Sequence, residues 1–243
     1  MLPFWIALQF LSSLPIRLPG MPEPRELGRS LLFYPLVGLL FGAILWVLNW
    51  LLLGTPLLLH AAVLLAVWVL LSGALHLDGL ADSADAWLGG FGDRERTLTI
   101  MKDPRSGPIA VVTLVLVLLL KFAALVALIE QQHALALVIV PLISRSALLG
   151  LFLTTSYVRP GGLGQALADH LPRLAGKQVL AASSLLCVLI AGLSAVWALL
   201  LAALIFVWLR QGMLRRLGGT TGDTAGALLE LLEVAILAGL ALI

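Results

Sequence analysis

The 243-residue chain is predicted to be an all-α polytopic membrane protein: an integral helical bundle of about seven transmembrane helices plus an N-terminal interfacial helix. Three observations predict this. Hydrophobic residues make up 61% of the sequence and charged residues 12%, against roughly 25% charged in a soluble domain. Mean hydropathy is +1.08, which leaves too little polar surface to cover a water-soluble globule. Apolar runs long enough to cross a bilayer recur along the chain. The absence of any long polar tract excludes a disordered chain, and a net charge of only +2 argues against nucleic-acid binding. The one cysteine, Cys187, lies inside an apolar run, which excludes disulfides and cysteine-based zinc sites.

The stretch from Leu2 to Ile16 has no basic residues ahead of its apolar part, and Pro15, Arg17 and Pro19 follow. That pattern fits a retained segment better than a secretory leader. It is short of the roughly 20 residues a span needs and reads as an interfacial or half-inserted helix. Spans are expected near 31–54, 56–75, 108–129, 134–153, 179–209 and 224–243. The fifth run would reach about 46 Å as one helix, against a hydrocarbon core of about 30 Å. Gly192-Leu193-Ser194 offers a turn at its middle.

Charge argues for the split. Arg17, Arg25, Arg29, Arg94, Arg96, Lys102, Arg105, Arg159, Arg173, Lys177, Arg210, Arg215 and Arg216 all fall on one side if 179–209 is a helical hairpin, whereas the connections near 54–56, 130–133 and 192–194 carry no Lys or Arg. The positive-inside bias then favours seven spans with the basic side in the cytoplasm. Lys121 and Arg145 sit within spans, where a cation costs at least about 2.5–3.5 kcal/mol. Glu230 and Glu233, one turn apart inside the last span, are expected to face the bundle and pair with them. The chain shows no internal repeat and reads as a single membrane-embedded domain over residues 1–243.

Polar chemistry concentrates in a few segments. In His76-Leu77-Asp78-Gly79-Leu80-Ala81-Asp82-Ser83-Ala84-Asp85, the three aspartates span an arc of about 60° on one helix face. Carboxylates so placed repel one another unless a cation sits among them, and hard oxygen ligands suit Mg²⁺. His76 points about 160° away from Asp78 and is not expected in that ligand set. Asp93 is the expected N-cap of a short helix through Met101. Lys102, Asp103 and Arg105 lie on the cramped loop made by Pro104, where the two cations could clamp phosphate oxygens. Gly218-Gly219-Thr220-Thr221-Gly222-Asp223 at the start of the last span offers backbone N–H groups and a helix N-terminus to an anion, with Asp223 an N-cap or a further metal ligand. The connection from Thr154 to Lys177, with Arg159-Pro160-Gly161-Gly162-Leu163-Gly164 and Asp169-His170, is long enough to suggest a binding or lid loop.

With these segments in place, the sequence resembles the cobalamin synthase family, the adenosylcobinamide-GDP ribazoletransferases. The matching segments are Gln9-Phe10-Leu11 with Leu14-Pro15, Tyr34-Pro35-Leu36-Val37-Gly38, His76 to Asp82 with Asp85, Met101-Lys102-Asp103 with Arg105 and Gly107, Ser144-Arg145, Gly162-Leu163-Gly164 and Gly219 to Asp223. They run in family order over nearly the whole chain. Ala86, where the family has Gly, and Pro104 depart from its common form.

The resemblance implies a reaction in which α-ribazole or its 5′-phosphate displaces GMP from adenosylcobinamide-GDP, forming adenosylcobalamin or its phosphate. It also implies a Mg²⁺ requirement and a multi-pass location in the inner (cytoplasmic) membrane, with the active-site loops facing the cytoplasm. The roles expected from it place one or two Mg²⁺ on Asp78, Asp82, Asp85 and Asp223. The diphosphate falls to Lys102, Arg105 and Arg145, with Gly219, Thr220, Thr221 and Gly222 beside it. Proton transfer falls to Asp103 or to a metal-site aspartate, Asp82 or Asp223. A homo-oligomer is compatible with all of this.

Two other readings are weaker. A CDP-alcohol phosphotransferase would need an Arg where Asp82 stands and an Asp where Leu75 stands. An ion-coupled transporter would use Lys121, Arg145, Glu230 and Glu233, but no inverted repeat supports it.

Overall fold

The computed structural model describes residues 1–161 and 163–243. Along them run the α-helices α1 (Leu2–Leu11), α2 (Pro24–Ser30), α3 (Tyr34–Leu51), α4 (Leu57–Ser72), α5 (Leu75–Gly89), α6 (Arg94–Ile100), α7 (Pro108–Glu130), α8 (Ala136–Thr154), α9 (Leu163–Asp169), α10 (Arg173–Leu217) and α11 (Gly222–Ala241). A single 3-10 turn joins α2 to α3. Gly162, and the side chain of Leu163, from the loop motif fall outside the described residues.

Helix α1 is ten residues long, about 15 Å, half of a hydrocarbon core. Its end is pinned to α4: the Ser13 N–H donates to the Leu71 carbonyl (2.8 Å) and the Ser13 hydroxyl to that of Leu70. Those carbonyls belong to the last turn of α4, where the intrahelical ladder runs out and only the capping N–H of Gly73 reaches Leu70 (3.1 Å). Helix α8 is the central column, buried along almost its whole length. It packs on α3 where Gly38 and Gly42 lie one turn apart; a Cβ on either would meet the backbone of Pro141 or Val138. Small residues at such a spacing let two apolar helices approach backbone to backbone, the main source of packing energy where lipid competes for every larger side chain.

The 45-residue α10 is broken at Gly192, whose φ of 54° and ψ of −127° are non-helical. Leu180 and Phe206 both lie within 4 Å of a Cβ built on Gly150. In a continuous helix they would be about 39 Å apart, so the chain doubles back at Gly192 into two antiparallel arms. Length and composition qualify five helices as spans, counting α2–α3 as one and α10 as one; the pair α4–α5, bent by 85°, brings the number to six. The expected seven is reached only by counting the two arms of α10 separately.

Basic segments gather at one end of the bundle. Arg94 Nε donates to the Leu217 carbonyl (2.8 Å), and Arg216 donates to Thr97 Oγ1 (3.0 Å) and the Trp87 carbonyl (2.6 Å). Arg173 and Arg210, at opposite ends of α10, both bond the C-terminal carbonyls of α8. At the other end, Gln131 bonds the carbonyl of Ala241, and residues 132–136 share a cavity with Ala191, Ser194 and Leu240. Two turns without Lys or Arg therefore meet opposite the basic end.

Candidate active site

Beyond the bend at Gly73 and Ala74, α5 lies across the starts of α7 and α11. Its position against α11 is set by two glycines. A Cβ on Gly79 would sit 2.9 Å from the Asp223 carbonyl oxygen, and one on Gly226 would sit 3.2 Å from the backbone of His76. Gly79 has room only for hydrogen and Gly226 little room for more, and this close crossing brings Asp78 and Asp82 to Asp223 from the far end of the sequence. Gly79→Ala is expected to push α5 from α11 and cost about 1–3 kcal/mol. A melting curve of the detergent-solubilised variant checks this, and an unchanged midpoint would mean that the crossing yields freely.

The three carboxylates crowd one another. Burial, then the charges of Asp78 and Asp223, push Asp82 up to about 6, against the opposing pull of Arg159. Asp223 is held by Arg159, whose Nη2 lies 2.7 Å from Oδ2. Asp85, expected among the metal ligands, is otherwise engaged. Its Oδ1 accepts from the Ala110 N–H (2.9 Å) and its Oδ2 from that of Gly107, so it caps the first turn of α7 and ties α5 to it.

The glycine–threonine run before Asp223 also departs from expectation. The Thr220 N–H donates to Ser156 O, and the Val158 N–H donates to Thr220 O, both at 2.9 Å. These form a short parallel bridge between Tyr157 and Thr220. Gly219 has room only for hydrogen, because a Cβ would collide with the Ser156 carbonyl. Thr221 and Thr224 form a reciprocal capping box. The N–H groups of Thr220 and Thr221 are therefore spent internally rather than offered to an anion, and both side chains are buried. Their work, with that of Gly219, is to dock the 154–161 loop and so carry Arg159 to Asp223.

Around this junction lies a cleft of about 320 Å³, lined by His76, Asp78, Gly79, Arg159, Gly222 and Asp223 together with apolar and aromatic side chains. Tyr157, in that lining, has its phenol raised above the usual range by burial. Neither Arg159 nor His76 was singled out as a site residue from the sequence. The length of the 154–177 connection signalled the first. The second was set aside on helical angle, yet the cleft wraps the beginning of α5 and takes lining from both directions.

Three expected cations sit elsewhere. Arg105 forms a bidentate pair with Asp103 (2.9 and 2.7 Å) on an exposed loop, and Lys102 is exposed beside it. Hydrogen bonds from Arg105 hold Asp103 down at about 2, which makes it a poor base. Arg145 is fully buried on α8, its guanidinium over the Phe41 ring and paired with Glu233. Lys121 bonds both Glu230 and Glu233 at 2.6 Å. These four charges match the pairing expected for ionised groups inside a membrane; the diphosphate role expected of Arg145 has no counterpart in the cleft lining. The same pairing occupies every group that an ion pathway would use. His170 is exposed, with Nδ1 3.2 Å from the Ala166 carbonyl, away from the cleft.

Among the described residues, no three carboxylate or imidazole groups form a ready-made metal cage. Mg²⁺ requires only one or two carboxylates, with water and phosphate oxygens completing its shell. The mutual repulsion of Asp78, Asp82 and Asp223 fits a site of that open kind.

Comparison with known proteins places the same residues in a wider context. A family model described as cobalamin-5-phosphate synthase matches residues 3–241. The chain is 83% identical to a Pseudomonas fluorescens protein named adenosylcobinamide-GDP ribazoletransferase, over the whole of both chains. It is 74% identical to a protein of that name from Pseudomonas savastanoi pv. phaseolicola over the whole of both. A Pseudomonas putida protein of the same name is 72% identical over all of this chain and 99% of its own length. No solved structure matches.

Proposed function

The chain belongs to the cobalamin-5-phosphate synthase family, and from that premise we propose that it is an adenosylcobinamide-GDP ribazoletransferase. It transfers the adenosylcobinamide-phosphate group to α-ribazole or its 5′-phosphate, releasing GMP and forming adenosylcobalamin or its 5′-phosphate. The observation that carries the reading is the meeting of Asp78 with Asp223 and Arg159 at one cleft, with Asp82 behind them and close enough to feel both carboxylates.

In this reaction a ribose hydroxyl oxygen bonds to the phosphorus that carries the cobinamide ester. The bond from that phosphorus to the bridging oxygen breaks, and GMP departs with the electron pair. Asp82, beside Asp78 and Asp223, accepts the hydroxyl proton, whereas Asp103 is tied up in its bidentate pair with Arg105 on an exposed loop away from the cleft. Arg159 leaves Asp223 to bind the diphosphate oxygens in fork geometry. Mg²⁺, held by Asp78 and Asp223 with water and phosphate oxygens completing its shell, would neutralise the charge that gathers on the phosphoryl oxygens. Asp85 positions α5 through its cap on α7. The gathering of basic segments at one end of the bundle supports a site that faces the cytoplasm from the cytoplasmic membrane, by the positive-inside rule.

The test is GMP release from adenosylcobinamide-GDP by purified protein when α-ribazole and Mg²⁺ are supplied, with a chelator as control. Release that depends on both additions is expected. Arg159→Gln should lower kcat/KM for the diphosphate donor by roughly 10²-fold. Absence of release with all components present would end this reading.

A further inference from the structure

The carboxylates account for only part of the cleft's lining. Another part is apolar, built by Phe10, Tyr34, Leu148, Phe152 and Tyr157. The Phe152 and Tyr157 rings stack with centroids 6.3 Å apart and planes 16° from parallel. His76 also lines the cleft; it is 4% exposed, and its Nδ1 has no hydrogen-bond partner. Buried polar nitrogens are nearly always satisfied, so an orphaned one at the edge of a cleft points to a ligand group as its partner.

Resting on the transferase reading above, we infer that this cleft is the subsite for the acceptor nucleoside. The flat benzimidazole base of α-ribazole lies against Phe152 and Tyr157. His76 Nδ1 hydrogen-bonds the ribose, and the attacking hydroxyl is turned towards Asp78 and Asp82. Size and polarity separate this occupant from the other substrate. The cleft's volume of about 320 Å³ lies at the small end of ligand sites, and the corrin macrocycle of the donor exceeds it. Guanine has several donors and acceptors on its edges that an apolar lining would leave unpaired, a heavy penalty in a binding site. A benzimidazole presents only its ring nitrogens and two broad apolar faces.

Two measurements decide it. Steady-state kinetics on purified protein give separate KM values for α-ribazole and for adenosylcobinamide-GDP. Tyr157→Leu, by loss of one stacking contact, and His76→Leu, by loss of one hydrogen bond, should each raise the α-ribazole KM roughly tenfold and leave the donor KM unchanged. His76→Gln, which keeps a polar group, should recover most of the loss. On the wild-type chain, an azide-bearing benzimidazole riboside should photolabel the segment 148–167; this requires no variant to fold.

An unchanged α-ribazole KM in Tyr157→Leu, a rise in the donor KM instead, or labelling confined to other segments would overturn the assignment. Failure of the transferase reading itself looks different, because wild-type protein would then release no GMP at all.

Discussion

Asp82→Asn loses transfer by about 10³-fold in kcat, the range expected when a positioned proton acceptor is removed, while the protein remains folded in the membrane. The amide keeps the volume of the carboxyl but offers neither a base nor a negative charge. The stability side of the same variant has a definite sign. Burial and the neighbouring carboxylates raise Asp82 from its ordinary value to about 6, so the folded chain binds this proton more tightly than the unfolded one. Its ionised form therefore opposes folding above that pH, and the opposition vanishes as pH falls below the unfolded value. With divalent ions chelated, the Asn variant should melt at or above the wild-type temperature at pH 7.5, and the gap should close towards pH 4. Wild-type turnover in Asp82→Asn would remove Asp82 from the chemistry. A collapsed melting curve would mean that the carboxylate supports the fold instead.

Glu233→Gln destabilises the bundle by about 3–5 kcal/mol, because it strands buried cations without their counter-charge. Glu233 accepts from Arg145, from Lys121 at 2.6 Å and from Ser144 at 3.2 Å, all inside the helical core. With Gln there, Glu230 alone faces two buried cations. Removing a matched pair is a different operation. Lys121→Leu combined with Glu230→Leu leaves Arg145 and Glu233 matched, and it should cost far less than Lys121→Leu alone, which leaves two carboxylates facing one guanidinium. Melting midpoints of the detergent-solubilised variants check both statements. A double variant whose cost equals the sum of the Lys121→Leu and Glu230→Leu costs would show that the charges act independently.

Some of this could be read before folding was considered. A charge in lipid must find a partner, so Glu230 and Glu233 could be matched with Lys121 and Arg145 on composition alone, although the assignment of Glu233 to both cations needed helix packing. Asp93 was legible as a cap, and its side chain does accept the Arg96 N–H at 2.7 Å, because capping depends only on neighbours three residues away. The turn at Gly192 was legible from span length and charge parity. Arg159 was not, because its place follows from a bridge between Tyr157 and Thr220, 63 positions apart (220 − 157). The engagement of Asp85 with the start of α7, and the tethering of Asp103 by Arg105, likewise depend on which backbone or side chain happens to lie nearby.

The sequence by itself determined the membrane bundle, the side on which charge collects and the residue types available for phosphoryl chemistry. Each of these follows from the energetic cost of placing polar groups in hydrocarbon and from spacing along single helices. Only the tertiary structure decided which of those residues share a cleft. That outcome turns on two glycines without side chains and one docked loop, and close approach between distant segments is a property of packing that no local pattern encodes.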